Sequence, residues 1–97
     1  MIQEPLSRAS IDEALAALPG WTLESDRLVK TFVLANFRDA IGFVVRLSFE
    51  AEQVNHHPEL GNVYNRVTVA LTTHDAGDKV TRLDVELAGR VERLFSA

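Results

Sequence analysis

The chain has 97 residues, no cysteine and a formal net charge of −4, and 46% of its residues are hydrophobic. This length predicts one domain over residues 1–97, and the lack of cysteine excludes disulfides and thiolate metal sites. An acidic chain has no general attraction to nucleic acids or to anionic membranes, so we expect neither as a partner.

The N-terminal segment and the length of the apolar runs argue against a secretory or membrane protein. The first five residues lack the basic-then-apolar layout of a signal peptide. The longest apolar run, near 41–45, is far too short to cross a bilayer. The sequence therefore predicts a cytoplasmic protein.

The first predicted elements are a helix and a β-hairpin. Ser10 and Glu13 have capping-box spacing, and apolar residues recur at helical spacing over 11–18 until a Pro-Gly pair ends the segment. Two apolar runs, 21–23 and 28–34, flank a polar turn and favour paired strands.

A longer helix is predicted over 37–55. Asn36 is a plausible N-cap, and Pro58 is expected to end the helix because the residue before a proline avoids the α region. The helix is apolar around much of its circumference, more than one sheet face can cover. The apolar residues outside the main apolar face are Phe43, Val45 and Phe49. They predict a subunit interface, and hence a homodimer or homotetramer.

The last elements are a strand over 63–73, with its odd-numbered residues facing the core, and a helix capped by Thr81 and Asp84. A short extra strand is expected near 60–62. The fold class is therefore α+β, in the order α-β-β-α-β-α. It has an antiparallel sheet of about four strands with three helices packed on one face.

Acid–base chemistry is indicated by three histidines, all between 56 and 74. His56 and His57 are adjacent at a predicted helix end, and His74 follows a strand. Histidine exchanges protons near neutral pH, and Glu52 lies one helical turn before His56. Two alternatives stay open from the residues alone. The histidines could be ordinary solvated side chains, or Glu52, His56 and His74 could form a metal site.

The position of His74 sets a geometric condition. Strict strand alternation places it on the polar side, away from the helix that carries His56. The two imidazoles can meet only if the strand ends or twists near Thr72, or if the site lies at the sheet edge.

The spacing from Glu52 through His-His-Pro and Tyr64 to His74 and Asp84 resembles the signature of the pterin-4a-carbinolamine dehydratase family. The Pro-Gly-Trp turn at 19–21 and the phenylalanine-rich helix also fit, so the resemblance covers nearly the whole chain. It implies a carbon–oxygen lyase, a 4a-hydroxytetrahydrobiopterin dehydratase. Such an enzyme removes water from a 4a-hydroxytetrahydropterin and needs no cofactor or metal.

The resemblance also implies roles for individual residues. His56 and His74 would transfer protons, and His57 would hold the pterin. Glu52 would orient His56 or increase its basicity, and Asp84 would support His74 indirectly. Further contacts to the substrate would come from Pro58, Thr73 and Asp75.

The chain departs from the family pattern at two places bordering the expected pocket. Leu60 and Gly61 stand where the family usually has tryptophan and often another aromatic residue. The loop over 75–80 has one glycine and is one residue longer than usual. Both changes bear on pterin binding rather than on the catalytic residue types.

The resemblance implies a homo-oligomer and an aromatic amino acid hydroxylase as pathway partner. A non-catalytic role is the alternative, because the same fold also serves as a dimerisation partner of a transcription factor and, in degenerate relatives, as an assembly chaperone. Those relatives tend to lose the histidines, whereas this chain keeps all three.

Overall fold

The computed structural model describes residues 3–97 as a four-stranded antiparallel sheet with three α-helices, which confirms the predicted fold class. The strands lie in the order β1-β2-β4-β3. The elements are α1 (Arg8–Ala16), β1 (Thr22–Glu24), β2 (Arg27–Val33), α2 (Phe37–Val54), β3 (Glu59–Val63), β4 (Arg66–Leu71), a short 3₁₀ helix (His74–Ala76) and α3 (Arg82–Ser96).

The helices cover one face of the sheet because strand side chains alternate between its two faces. In the central β2–β4 pair, Leu28 lies opposite Leu71 and Phe32 lies opposite Val67, and all four side chains are buried. The next position, Thr31, is exposed on the other face. This alternation places the core between one sheet face and the helices. The predicted hairpin is confirmed by the antiparallel pairing of β1 with β2.

The segment predicted as one strand over 63–73 is two strands. Tyr64 has a φ of 52° and lies in the turn between β3 and β4, so the strand cannot run through it. Val63 belongs to β3 and is 74% exposed rather than buried. The predicted odd-side burial holds from Val67 onward, and the expected extra strand is β3.

The N-terminus of α1 was predicted three residues too late. Ser7, not Ser10, is the N-cap, and its side chain accepts a hydrogen bond of 3.1 Å from the Ser10 amide. Two serines at capping distance from the same apolar run cannot be told apart by spacing alone. The earlier start places Ser10 inside the helix, so Glu13 is not its capping partner.

The N-terminus of α2 agrees with the sequence, since the Asn36 side chain accepts a hydrogen bond of 2.8 Å from the Asp39 amide. The helix ends one residue earlier than predicted, and Asn55 ends it rather than Pro58. Asn55 adopts the left-handed conformation, with a φ of 51°, and the helix ends at Val54. Pro58 therefore lies three residues beyond the turn and does not itself end the helix.

The buried face of α2 differs from the predicted one. Phe43 is fully buried in the core, whereas the sequence assigned it to a subunit interface. The exposed apolar residues instead follow an i, i+4 line, which we call the α2 stripe: Phe37, Ile41, Val45 and Phe49. No helix within residues 3–97, α2 included, is both long and apolar enough to cross a membrane.

A polar contact fixes α3 against the β1–β2 hairpin at the edge of the core. The Trp21 indole donates a 2.8 Å hydrogen bond to Glu92, which is also ion-paired with Lys30. Lys30 in turn donates to the Pro19 carbonyl at 2.7 Å. Both charged side chains are about 15% exposed or less, so their mutual pairing offsets part of the cost of removing them from water.

Candidate active site

The site is built on the N-terminus of α3. The Thr81 hydroxyl accepts a 3.2 Å hydrogen bond from the Leu83 amide, and the Asp84 carboxylate accepts one of 2.9 Å from the Thr81 amide. This is the predicted capping box. Because Asp84 is completely buried, the cap also holds a carboxylate inside the protein.

Asp84 also supports His56. Its Oδ1 lies 2.5 Å from His56 Nε2, while its Oδ2 accepts a 2.8 Å hydrogen bond from the Thr73 hydroxyl. A further hydroxyl contact of 2.7 Å joins Thr73 to Thr81. The packing of α3 therefore places the Asp84 carboxylate in direct contact with His56, and the indirect support of His74 by Asp84 stays a prediction.

Glu52 contacts His57 rather than His56. Its Oε1 lies 3.1 Å from His57 Nε2, and both side chains are mostly exposed. The expected pairing with His56 rested on the i, i+4 spacing of a continuous helix. The left-handed turn at Asn55 breaks that helix, so His56 turns into the protein and the next imidazole meets Glu52.

His74 reaches the same site because its strand ends early. The strand β4 stops at Leu71, and a 3₁₀ helix begins at His74, so strand alternation no longer fixes its direction. Its Nδ1 lies 2.9 Å from the Asp78 carboxylate. That hydrogen bond, and then the charges of Asp78 and Asp75, raise the pKa of His74 above its ordinary value.

The three imidazoles border one cleft of about 280 Å³ between the end of α2, the loop after β4 and the start of α3. Of the sequence-predicted residues, Pro58 does not line it. Glu52 and Asp84 contact its histidines without lining it themselves. The lining residues are Asn55, His56, His57, Thr72, Thr73, His74, Asp75 and Leu83.

A second cleft of about 300 Å³ lies between α1 and α3, but it contains no histidine and its exposed surface is mostly apolar. Within residues 3–97, no group of three or more histidine or acidic side chains is arranged to hold one metal ion. Glu52 contacts His57, so the set of Glu52, His56 and His74 considered from the sequence is not assembled in this structure.

Sequence reasoning missed Asp78 and the buried hydroxyl of Thr81 as parts of the site. The contact of Asp78 with His74 could have been predicted, because the two residues are four apart, like Glu52 and His56. The contact between Thr73 and Thr81 could not have been predicted from spacing, because it depends on the fold of the loop between them.

Each imidazole thus has one ring nitrogen on a carboxylate, and a carboxylate can only accept, so that nitrogen carries a proton. The second nitrogen stays available: Nδ1 in His56 and His57, and Nε2 in His74. Imidazoles held in this way can give or take a proton from a molecule in the cleft.

Comparisons with known proteins agree with this geometry. The family model described as pterin 4 alpha carbinolamine dehydratase matches residues 4–94. A relative from Opitutus terrae, named a pterin-4-alpha-carbinolamine dehydratase, is 56% identical over 92% of each chain. A relative of the same name from Rhizobium rhizogenes is 50% identical over 96% of this chain and 93% of its own length.

Solved structures show the same fold. The crystal structure of a transcriptional coactivator/pterin dehydratase from Brucella melitensis has a TM-score of 0.88 and 35% identity, covering 94% of this chain and 98% of that one. A pterin dehydratase-like RuBisCO assembly factor of the alpha-carboxysome has a TM-score of 0.61 over 76% of this chain and 84% of its own. It shares the fold at 20% identity. The family-model match over residues 4–94 and these relatives show that the chain belongs to the pterin-4a-carbinolamine dehydratase family.

Proposed function

We propose that this protein is a dehydratase that removes water from a 4a-hydroxytetrahydropterin and releases the quinonoid dihydropterin. The observation that carries the proposal is the cleft bordered by three imidazoles, each paired with its own carboxylate. Membership of the family supports the same reaction. The reaction needs one proton given to the C4a hydroxyl and one taken from N5, which imidazolium and neutral imidazole can do without a metal.

In this proposal His56 and His74 transfer the protons and His57 holds the pterin. His56 is the most firmly fixed, since it is 9% exposed and bonded to buried Asp84. His57 is exposed at the cleft rim beside Glu52, where a binding role requires less rigidity. Thr73 and Asp75 line the cleft and are the proposed further contacts to the pterin.

The test is a stopped-flow dehydration assay with enzymatically generated 4a-hydroxytetrahydropterin. His74 is exposed, so we expect His74→Ala to lower kcat about 10²–10⁴-fold with little change in melting temperature. His56 is buried, so His56→Gln is the better variant because its amide can still donate to Asp84. We expect His57→Ala to raise KM more than it lowers kcat.

Wild-type turnover in both the His74 and the His56 variants would contradict the assignment of proton transfer. If the wild-type protein itself gave no dehydration, the alternative of a non-catalytic dimerisation or assembly-partner module would be favoured. Turnover that depended on added zinc or iron after chelation would contradict a metal-free reaction.

The proposal includes assembly as a homodimer or homotetramer, supported by the α2 stripe. Its four apolar residues are each 38–68% exposed within one chain. A line of exposed apolar side chains on one helix is the kind of surface that symmetric association covers. We further propose a cytoplasmic enzyme that serves an aromatic amino acid hydroxylase, the class of reaction that would supply a 4a-hydroxylated pterin.

A further inference from the structure

Every polar group of Thr73 is hydrogen-bonded within the protein, although the residue lines the cleft. Its amide donates a 2.9 Å hydrogen bond to the Lys79 carbonyl, and its carbonyl accepts hydrogen bonds of 3.1 Å from the Ala76 and Asp78 amides. Its hydroxyl contacts two other side chains, and the whole residue is only 4% exposed. A pterin in the cleft would therefore meet the apolar part of Thr73 rather than its hydroxyl.

The direction of the hydrogen bonds around Thr73 follows from the number of protons available. A hydroxyl has one proton to donate, whereas a carboxylate can only accept. The Thr73 hydroxyl donates that proton to Asp84 Oδ2 at 2.8 Å, so its 2.7 Å contact with Thr81 is donated by the Thr81 hydroxyl. The Thr81 oxygen in turn accepts from the Leu83 amide at 3.2 Å. The two hydroxyls thus form a chain that runs from the N-terminus of α3 through Thr73 to the buried carboxylate.

This chain fixes the rotation of the Asp84 carboxylate. Oδ2 accepts from the Thr73 hydroxyl at 2.8 Å and from the Thr81 amide at 2.9 Å, which leaves Oδ1 for His56 Nε2, 2.5 Å away. The amide alone is one contact about which the carboxylate can turn. The hydroxyl adds a second donor from a different element, the loop after β4, and consecutive hydrogen bonds in a dry interior strengthen one another.

We infer that Thr73 is a positioning residue whose hydroxyl aligns Asp84 and, through it, holds His56 with its proton on Nε2 and its Nδ1 free. The inference rests on the proposed dehydratase function and adds a residue that controls the rate without touching the reacting atoms. It is the same whether His56 gives or takes a proton, because either transfer at Nδ1 requires a fixed ring. The contact of Thr73 with the pterin is then an apolar one.

The first experiment records the imidazole ¹⁵N signals of His56 in the ligand-free protein at alkaline pH, where the ring is neutral. Thr73→Val removes the hydroxyl, and Thr73→Ser keeps it. We expect one tautomer, protonated on Nε2, in the wild type and in Thr73→Ser, and a mixture of both tautomers in Thr73→Val. The matched control is Thr31→Val, because the Thr31 hydroxyl also contacts a threonine, Thr68 at 3.0 Å, but on the exposed face of the sheet. Wild-type His56 signals in Thr73→Val would overturn the inference.

The second experiment separates kcat from KM in the dehydration assay. We expect Thr73→Val to lower kcat by up to about 100-fold with little change in KM, since a reacting group displaced by about 1 Å can lose that much. Thr73→Ser should recover most of the lost rate, and Thr31→Val should react like the wild type. A raised KM with unchanged kcat in Thr73→Val would show a direct contact with the pterin and overturn the inference. Equal losses in Thr73→Val and Thr73→Ser would also overturn it, because they would trace the effect to the methyl group.

Thr73→Val leaves the Thr81 hydroxyl without its acceptor, so its folding is checked by thermal melting. If it does not fold, the wild-type protein carries the test, because buried donating groups exchange their protons slowly with water. We expect slowly exchanging proton signals for the Thr73 hydroxyl and for His56 Nε2–H, and rapid exchange of both would overturn the inference. If the wild-type protein does not dehydrate the pterin, the proposed function fails, and the NMR signals still decide whether Thr73 orients His56.

Discussion

At the scale of single residues, the site consists of three imidazole–carboxylate pairs with very different surroundings. Asp84 is buried and accepts hydrogen bonds from Thr73 and Thr81 besides contacting His56. Glu52 and Asp78 are mostly exposed and each contact one histidine. Exposed pairs add little stability, so these two carboxylates matter mainly for the orientation of their imidazoles.

The buried carboxylate should matter for folding as well as for activity. We expect Asp84→Ala to lower the free energy of unfolding by about 3–5 kcal/mol, because it leaves buried donors without an acceptor and removes the charge paired with His56. Turnover should fall too, since His56 loses its fixed orientation. Urea unfolding measures the first effect. The control is Asp12→Ala, which removes an exposed pair with Arg8 and should cost about 0–1 kcal/mol.

A loss for Asp84→Ala no larger than for Asp12→Ala would show that the buried network contributes little to stability. A normal kcat in Asp84→Ala would show that His56 is positioned by its packing and not by this carboxylate.

At the scale of elements, the end of α2 decides where the two adjacent histidines lie. Asn55 at φ 51° ends the helix, and the next amide, that of His56, donates back to the Ala51 carbonyl at 3.1 Å. This turn sends His56 inward to Asp84 and leaves His57 at the cleft rim. One left-handed residue therefore sends two neighbouring histidines to different carboxylate partners.

This predicts a specific dependence on backbone conformation. We expect Asn55→Ala to lower the free energy of unfolding by about 1–2 kcal/mol, because an alanine in the left-handed region brings its Cβ too close to the following carbonyl oxygen. Asn55→Gly should be close to wild type, since glycine adopts this conformation readily. Chemical denaturation of the two variants measures the difference, and equal stabilities would show that the conformation at residue 55 imposes no cost.

At the scale of the whole molecule, the core and the α2 stripe lie on opposite sides of the same helix. Phe43 fills the core, where its ring lies 5.1 Å from that of Phe32, while Phe49 is 68% exposed. A substitution at Phe43 would therefore damage folding and report nothing on assembly. The residue suited to test association is Phe49.

We expect wild-type protein to sediment as a dimer or tetramer at micromolar concentration and Phe49→Asp to dissociate it, because an unpaired carboxylate in an apolar interface is strongly unfavourable. Ala9→Asp adds the same charge at an exposed position on α1 and should leave the assembly intact. A wild-type protein that sediments as a monomer would remove the α2 stripe as an argument for association.

The sequence by itself determined the order of helices and strands and the clustering of the three histidines. Asn36 and Thr81 cap their helices as predicted, because capping depends on contacts within about three residues. The alternation of apolar residues placed the core side of β4 correctly. The three histidines were found from the sequence as well, because they cluster between 56 and 74.

Only the tertiary structure decided which side chains meet. His56 and Asp84 are 28 residues apart and come together because α3 packs beside the end of α2, which no local spacing encodes. The i, i+4 rule misassigned Glu52 because it holds only while the helix continues, and Asn55 ends it. The same holds for Phe43 and Phe49: both are apolar and helical, and only the direction in which α2 packs buries one and exposes the other.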